Sequence, residues 1–231
     1  MEVKLIAHTK ITDVIKNEFG VTDGQIVALT AIRTCYSHMK PTEIVKNEGE
    51  KYFKRKATDG KEGSDAERLF RYIIRSGHTS TMEHLNFTFS IGGVTRSLLA
   101  QLTRHRHFSY SVQSQRYNKL ETDSKSGGFG YIVPEKIKNN EYLNQQYEIA
   151  MRFIQRMYDD LREKKVPAED ARMILPNAAT CNLVLTGNLR AILEFYEKRS
   201  DKRAQWEIRE LAERIKAEIV KVEPWLEQFF Q

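Results

Sequence analysis

Cysteine is scarce. Cys35 and Cys181 stand far apart in 231 residues, and neither has metal-ligand residues around it. That excludes a disulfide framework and a cysteine zinc site and leaves two buried thiols as the expectation. Long apolar runs are missing as well. "MEVKLIAHTK" has no stretch long enough for a signal peptide, and no later run approaches the roughly 18 residues of a membrane span, so a cytoplasmic protein that does not engage a membrane is expected. Glycine-rich phosphate loops are also absent. "SGGFG" at 126–130 reads as an exposed turn, with no GxGxxG fingerprint anywhere, and no internal repeat appears.

One absence is local. Between His84 and Leu120 there is no Asp or Glu, while Arg96, Arg104, Arg106, Arg116 and Lys119 all fall in that window. The rest of the chain mixes its signs. A net charge of +6 favours an anionic partner, and this strip is where one would bind.

Hydrophobic periodicity supplies the architecture. "EVKLIAH" reads as a strand, and "DGQIVALTAIRTCYS" as a helix with Ile26, Leu29 and Ile32 at helical spacing and Asp23 as its cap. The polar stretch 46–63 reads as a mobile insertion or a short weak helix with loops, either a lid or a passive loop. Ser64 and Glu67 form a capping-box pattern ahead of "RLFRYIIR", which Gly77 stops. "HLNFTFSI" alternates as a half-buried strand and Gly92-Gly93 turns it, after which "VTRSLLAQLTRHR" is helical. "SQRYNKL" is extended and "YIVP" is a short strand. A long helix follows from Pro134 to about 165, then a helix in "VPAEDARMILP" between Pro167 and Pro176. "TCNLVLTG" is a strand, and Asn188 caps the helix "LRAILEFYEKR". A last helix from about Ala204 carries the stripe Ile208, Leu211, Ile215, Ile219 and Val222. The expected fold is a single α+β (mixed α/β) domain with an antiparallel-leaning central sheet flanked by helices.

The strip "RHRHFSYSVQSQRY" (104–117) interleaves arginines with hydroxyls. If the preceding helix runs through 105, Gln101, Arg104 and His105 share a face; if 114–117 are extended, Ser114 and Arg116 point the same way. A guanidinium fork and a hydroxyl projecting together suit a phosphate. Two other readings stand beside it: a solvated basic loop, and a nucleic-acid surface on which Phe108, Tyr110 and Tyr117 stack bases. The second lacks any recognisable nucleic-acid module. A zinc site on His105 and His107, or on His78 and His84, finds no convergent ligands.

Order within the strip is more specific. "RHR", seven residues, then Ser114 resembles the signature of the flavin-dependent thymidylate synthases. "GHTSTMEH" (77–84), "AQLTRHR" (100–106), "SQRY" (114–117), "ARMILP" (171–176), "NLR" (188–190) and "RSDKRAQWEIR" (199–209) follow in that family's order and approximate spacing.

The resemblance implies an enzyme that makes dTMP from dUMP with FAD, methylenetetrahydrofolate and NADPH. It implies dUMP contacts at Gln101, Leu102, Thr103 and Arg104 from one subunit and a phosphate cradle of Val112, Gln113, Ser114, Gln115 and Arg116 from another, with Arg172 adding a contact. Arg199 would sit on the uracil ring, favour ionisation at N3 and be the catalytic residue. FAD contacts are implied at Ser80, Glu83, Arg104, His105, Arg106, Val112, Asn188, Leu189, Arg190 and Glu194, with Cys35 where relatives carry Ser and His78 near the flavin and folate entry.

Simpler roles remain open for several of these. Arg172 and Arg199 near helix C-termini complement helix dipoles, Asn188 is a helix cap, and Cys35 is a helix thiol. His78, Ser80 and Glu83 read as loop or cap residues. Val112 and Glu194 depart from the family pattern, where Glu and Asn are usual. Neither cysteine looks like an activated nucleophile, and Ser114 is assigned to binding. The resemblance also implies a homotetramer with active sites shared between subunits, and no nucleic-acid partner.

Overall fold

The computed structural model describes all 231 residues. Strands β1 (Glu2–His8), β2 (Asn86–Thr95), β3 (Ser109–Val112) and β4 (Thr180–Asn188) form one antiparallel sheet in the order β1-β2-β4-β3. The architecture is the mixed α+β type that the alternating segments predicted. Phe87, Phe89 and Ile91 of β2 are buried with Leu85 before them, while Asn86 and Ser90 face out, which is the period-two pattern of a half-buried strand. Gly92-Gly93 does not end β2. The strand passes through Gly93, which adopts φ +69° and gives its N–H to Asn182 Oδ1 at 3.0 Å, and continues to Thr95.

The chain folds as two compact units interleaved in sequence: Val3–Phe89, His105–Ser109 and Leu185–Gln231 in one, Met1–Glu2, Ser90–Arg104 and Tyr110–Val184 in the other.

The first unit holds α1 (Asp23–Thr34), α2 (Pro41–Gly49) and α3 (Asp65–Arg75). Thr22, not Asp23, caps α1, through a capping box with Gln25. The 46–63 stretch is ordered. It contains the end of α2, a π-helical turn at Glu50–Lys54 and a tight loop closed by a bridge between Lys56 and Ser64. Buried Arg71 of α3 holds that loop, with Nε and Nη2 donating to Asp59 at 2.8 and 2.9 Å. Ser64 Oγ accepts the Glu67 N–H, but the reciprocal half of the expected box is replaced by a Glu67 contact from Gln228 Nε2 at 3.5 Å. Gly77 follows α3 with φ +75°, the left-handed stop that its position predicted.

Later in the same unit, α8 (Leu189–Arg199) packs on α9 (Trp206–Val222). Ile208, Leu211, Ile215 and Ile219 of α9 are essentially fully buried, each contributing about 1.5 to 3 kcal/mol of transfer free energy, while Val222 is only half-buried.

The second unit holds α4 (Arg96–Leu102), α5 (Glu135–Lys138), α6 (Glu141–Glu163) and α7 (Ala168–Ala171). The expected single helix from 134 to 165 is two, because Asn140 leaves helical geometry and its side chain caps α6 by accepting the Leu143 N–H at 3.0 Å. The 167–176 segment is α7 followed by a 3-10 turn, Arg172–Ile174. "YIVP" reduces to a single bridge from Tyr131 to Ala179. Phe129, Met151 and Ala179 form a small core with Leu120, Tyr147, Ile154 and Leu175 against it. Cys181 is buried on β4, whereas Cys35 is exposed, because α1 ends at Thr34 and presents that position to solvent. No helix is long and apolar enough to cross a membrane.

Candidate active site

In the first unit, β4 leads directly into α8. Asn188 is the last strand residue and the helix cap, its Oδ1 accepting the Ala191 N–H at 2.9 Å. Leu189 is fully buried and gives its N–H to the Leu85 carbonyl at 2.8 Å, so its side chain belongs to the core. Arg190 is clasped from two sides: Nη1 donates to Glu83 Oε1 at 2.8 Å and Nε to Glu194 Oε1 at 3.2 Å. Those side chains, with Asn188, Ala191 and His107, line a pocket of about 180 Å³ at the start of α8. Hydrogen bonds donated to the Glu83 and Glu194 carboxylates hold the Arg190 pKa above its ordinary value. His107, named from the sequence only as half of an unsupported zinc pair, is a pocket residue.

The far end of α8 holds a second arrangement. Arg199, the last helical residue, donates from Nε to His105 Nε2 at 2.9 Å. The His105 ring stands edge-on to Phe195, centroids 4.9 Å apart, with Phe108 on another side at 6.1 Å. Burial, then the positive charges of Arg199 and Lys198, push the His105 pKa down to about 4 against the opposing pull of Glu194. The imidazole is therefore neutral at physiological pH and accepts a hydrogen bond from a guanidinium.

Upstream, a 3-10 turn at Thr79–His84 carries Ser80 and Glu83, both exposed. His78 precedes it, its Nδ1 3.0 Å from the Tyr36 hydroxyl, with the two rings edge-on. Tyr36 is thus a partner of His78 that the sequence concealed. The Cys35 Sγ contacts the Ala31 carbonyl of its own helix at 3.7 Å.

In the second unit, α4 stops at Leu102, so Arg104 and His105 do not share a helical face with Gln101 as they would in a longer helix. Thr103 Oγ1 bonds back to the Leu99 carbonyl at 3.0 Å, and the Arg104 N–H reaches the Gln101 carbonyl at 3.3 Å in the turn that follows. The Tyr110 hydroxyl donates to the Leu102 carbonyl at 2.6 Å and pins β3 to the end of α4; burial pushes its pKa up to about 12.

The extended segment lies earlier than expected, at Ser109–Val112, and residues 114–118 turn instead. Ser114 accepts the Asn118 N–H through its carbonyl and the Arg116 N–H through Oγ, both at 3.1 Å. Gln113 is occupied in the sheet, its N–H donating to Asn182 O at 2.8 Å and its Oε1 accepting the Asn182 N–H at 3.1 Å. Arg116 pairs with Glu169 Oε2 at 2.7 Å, and Arg172 donates to the Glu169 carbonyl at 3.2 Å. The turn thus places Ser114 beside Arg116, and α7 brings Arg172 to the same residue as Arg116. Glu169 is the unforeseen organiser of that cluster. Gln115 is half-buried and Arg106 is exposed.

Base stacking loses two of its three aromatic candidates. Phe108 is buried and Tyr110 is half-buried with its hydroxyl engaged, which leaves only Tyr117 well exposed, beneath the Arg116 guanidinium.

Comparison with known proteins follows the same line. The model of the thymidylate synthase complementing protein family matches residues 19–225. The flavin-dependent thymidylate synthase of Geobacter sulfurreducens is 35% identical over 212 residues, covering 92% of this chain and 79% of that protein. The enzymes of the same name from Clostridium tetani and Sulfolobus acidocaldarius are 33% and 32% identical, covering 90% and 98% of this chain and 82% and 75% of theirs. With nearly its whole length matched and its motifs in that order, the chain belongs to the flavin-dependent thymidylate synthase family.

Proposed function

We propose that the protein converts dUMP to dTMP, with FAD as bound cofactor, methylenetetrahydrofolate as the one-carbon donor and NADPH as the reductant. The observation that carries this reading is the Arg199–His105 pair: a guanidinium held at a helix end by a neutral imidazole, at the position where the family places the arginine that faces uracil. Developing negative charge on the pyrimidine is stabilised by a preorganised cation, and that stabilisation is larger where burial lowers the local dielectric.

The donor set at the start of α8 fits part of a dinucleotide. Arg190 and the imidazole of His107 suit a phosphate, and the Glu83 carboxylate suits a ribose hydroxyl. A pocket of about 180 Å³ is smaller than the roughly 300 to 1,000 Å³ typical of whole-ligand sites, so other surfaces must complete it. That supports a site shared between subunits. The long helix α6 also leaves Tyr142, Ile149, Phe153 and Met157 exposed at helical spacing, a face suited to burial in a homotetramer.

FAD, when bound, would supply hydride-transfer chemistry. This chain's residues would do the rest. Ser114, Arg116 and Arg172 would hold the dUMP phosphate, which would displace the exposed Glu169 carboxylate from Arg116 at small cost because surface ion pairs are weak. Arg199 would polarise the ring. Gln101 and Arg104 would orient the nucleotide, and His78, positioned by Tyr36, would stand at the flavin and folate entry. Neither cysteine has a part in this scheme.

Arg199→Ala tests the reading. It should abolish dTMP synthesis and leave FAD bound; a fully active Arg199→Ala protein would remove the role assigned to that residue.

A further inference from the structure

The family resemblance places His105 against the flavin, yet its Nε2 atom is already committed elsewhere. It accepts the Nε–H of Arg199 at 2.9 Å. An imidazole nitrogen that accepts carries no proton, so the ring is the Nδ1–H tautomer. Three groups fix the ring's orientation: Phe195 edge-on at 4.9 Å, Phe108 at 6.1 Å, and Arg199 itself. Phe195 lies one turn before Arg199 on α8, so the same helix supplies both the surface the imidazole rests on and the donor it receives. The charged neighbours acting on the ring, Arg199, Lys198 and Glu194, also come from α8, and the two cations outweigh the carboxylate.

Arginine side chains have four rotatable bonds, and a guanidinium at a helix C-terminus ordinarily samples several orientations. A hydrogen bond donated from Nε constrains it more than one donated from a terminal nitrogen, because Nε lies nearest the stem and fixes the plane of the fork. We infer that His105 is a positioning residue for Arg199, its unprotonated Nε2 setting the orientation in which the guanidinium meets the pyrimidine. Charge is part of the same device. A protonated imidazole would offer no lone pair and would set a second cation beside Arg199, so burial that keeps the ring neutral also keeps the pair together. The inference rests on the reading of Arg199 as the pyrimidine-facing arginine, although the pair itself does not.

Two measurements on the full-length protein separate those layers. In protein labelled with nitrogen-15 at histidine, NMR should show His105 as the neutral Nδ1–H tautomer from pH 5 to 8, and Arg199→Gln should raise its pKa. An Nε2–H tautomer, or titration near the ordinary histidine value in the wild type, would overturn the inference whether or not the protein makes dTMP. The second measurement is steady-state turnover of dUMP by His105→Phe, which keeps a ring against Phe195 but removes the acceptor, and His105→Gln, which returns an acceptor close to the Nε2 position. His105→Phe should lose about ten- to hundredfold, mainly in kcat rather than in KM, as expected for a charge-assisted hydrogen bond that orients a transition-state contact. His105→Gln should recover a substantial part of that kcat, with turnover taken per bound flavin in each variant because the same side chain stands near the cofactor.

Equal loss in both variants, or none in either, would contradict the role. If His105→Phe does not fold, the Gln variant and the NMR tautomer still decide it. A wild-type protein that makes no dTMP would refute the proposed function, while the NMR result would still stand or fall by itself.

Discussion

Arg190 Nη1 donates to Glu83 Oε1 at 2.8 Å, joining the first turn of α8 to a 3-10 turn 107 positions earlier in the chain. A second carboxylate, Glu194, reaches the same guanidinium from the next helical turn. The clasp is half-exposed, so it is readily exchanged for another anion, but each carboxylate competes with an incoming phosphate. Glu194→Asn should therefore tighten FAD binding to the apoprotein by about two- to fivefold, read from quenching of flavin fluorescence on titration. Unchanged or weaker binding would show that Glu194 itself contacts the cofactor.

Glu223 joins the C-terminal segment to the start of α1. Its carboxylate accepts the Gly24 N–H at 3.1 Å, the Trp225 indole N–H at 2.6 Å and the Thr22 hydroxyl, a dense use of one buried anion at a helix N-terminus. A Cβ on Gly24 would lie about 2.5 Å from that carboxyl carbon. Glu223→Ala should cost about 1 to 3 kcal/mol, because buried donors lose their acceptor. Gly24→Ala should be destabilising through steric exclusion, and thermal unfolding of both variants measures it.

The loop that reads as mobile is latched by Arg71, and Asp59→Asn should release it. The Arg71 hydrogen bond is the main reason the Asp59 pKa falls to about 2. Because the folded-state value is depressed, this contribution is complete above the unfolded value near 4 and disappears as the pH falls towards 2. Exposed Lys61 lies in the loop, so limited trypsin digestion at neutral pH should cut there faster in Asp59→Asn than in wild type.

His105 contributes to stability in a different pH window. Its folded pKa of about 4 lies below the ordinary 6.5, so the unfolded chain binds a proton that the folded chain does not between those values. This part of the stability is fully present above 6.5 and is lost progressively as the pH falls to about 4. Melting temperatures of wild type and His105→Gln from pH 7 to 4 should diverge, with the wild type falling more steeply across that interval.

Periodicity and capping chemistry made much of the fold legible. β2, α3, α8 and α9 lie where alternation, Ser64, Asn188 and the isoleucine-leucine stripe put them, because each signal is local and each element buries the face it advertises. Boundaries were less legible. Helix α4 ends at Leu102, where the Arg104 N–H bonds the Gln101 carbonyl three residues back and the helical ladder stops, a boundary that composition does not reveal. The latch on Asp59, the Tyr36–His78 bond and the Arg199–His105 pair join residues 12, 42 and 94 positions apart, and nothing in a linear pattern marks such partners. Motif order named the candidate residues. Only three-dimensional contacts separate Leu189, which is core, from Arg190, which lines a pocket one position later.

The most direct test of the whole account is a single anaerobic reaction. Purified protein reconstituted with FAD is mixed with NADPH, methylenetetrahydrofolate and dUMP, and both the visible flavin spectrum and the nucleotide products are followed. The account predicts that NADPH bleaches the oxidised flavin band, faster when dUMP is present, and that dTMP accumulates. Failure to bind flavin after reconstitution, or a reduced flavin that yields no dTMP with all three substrates present, would contradict it.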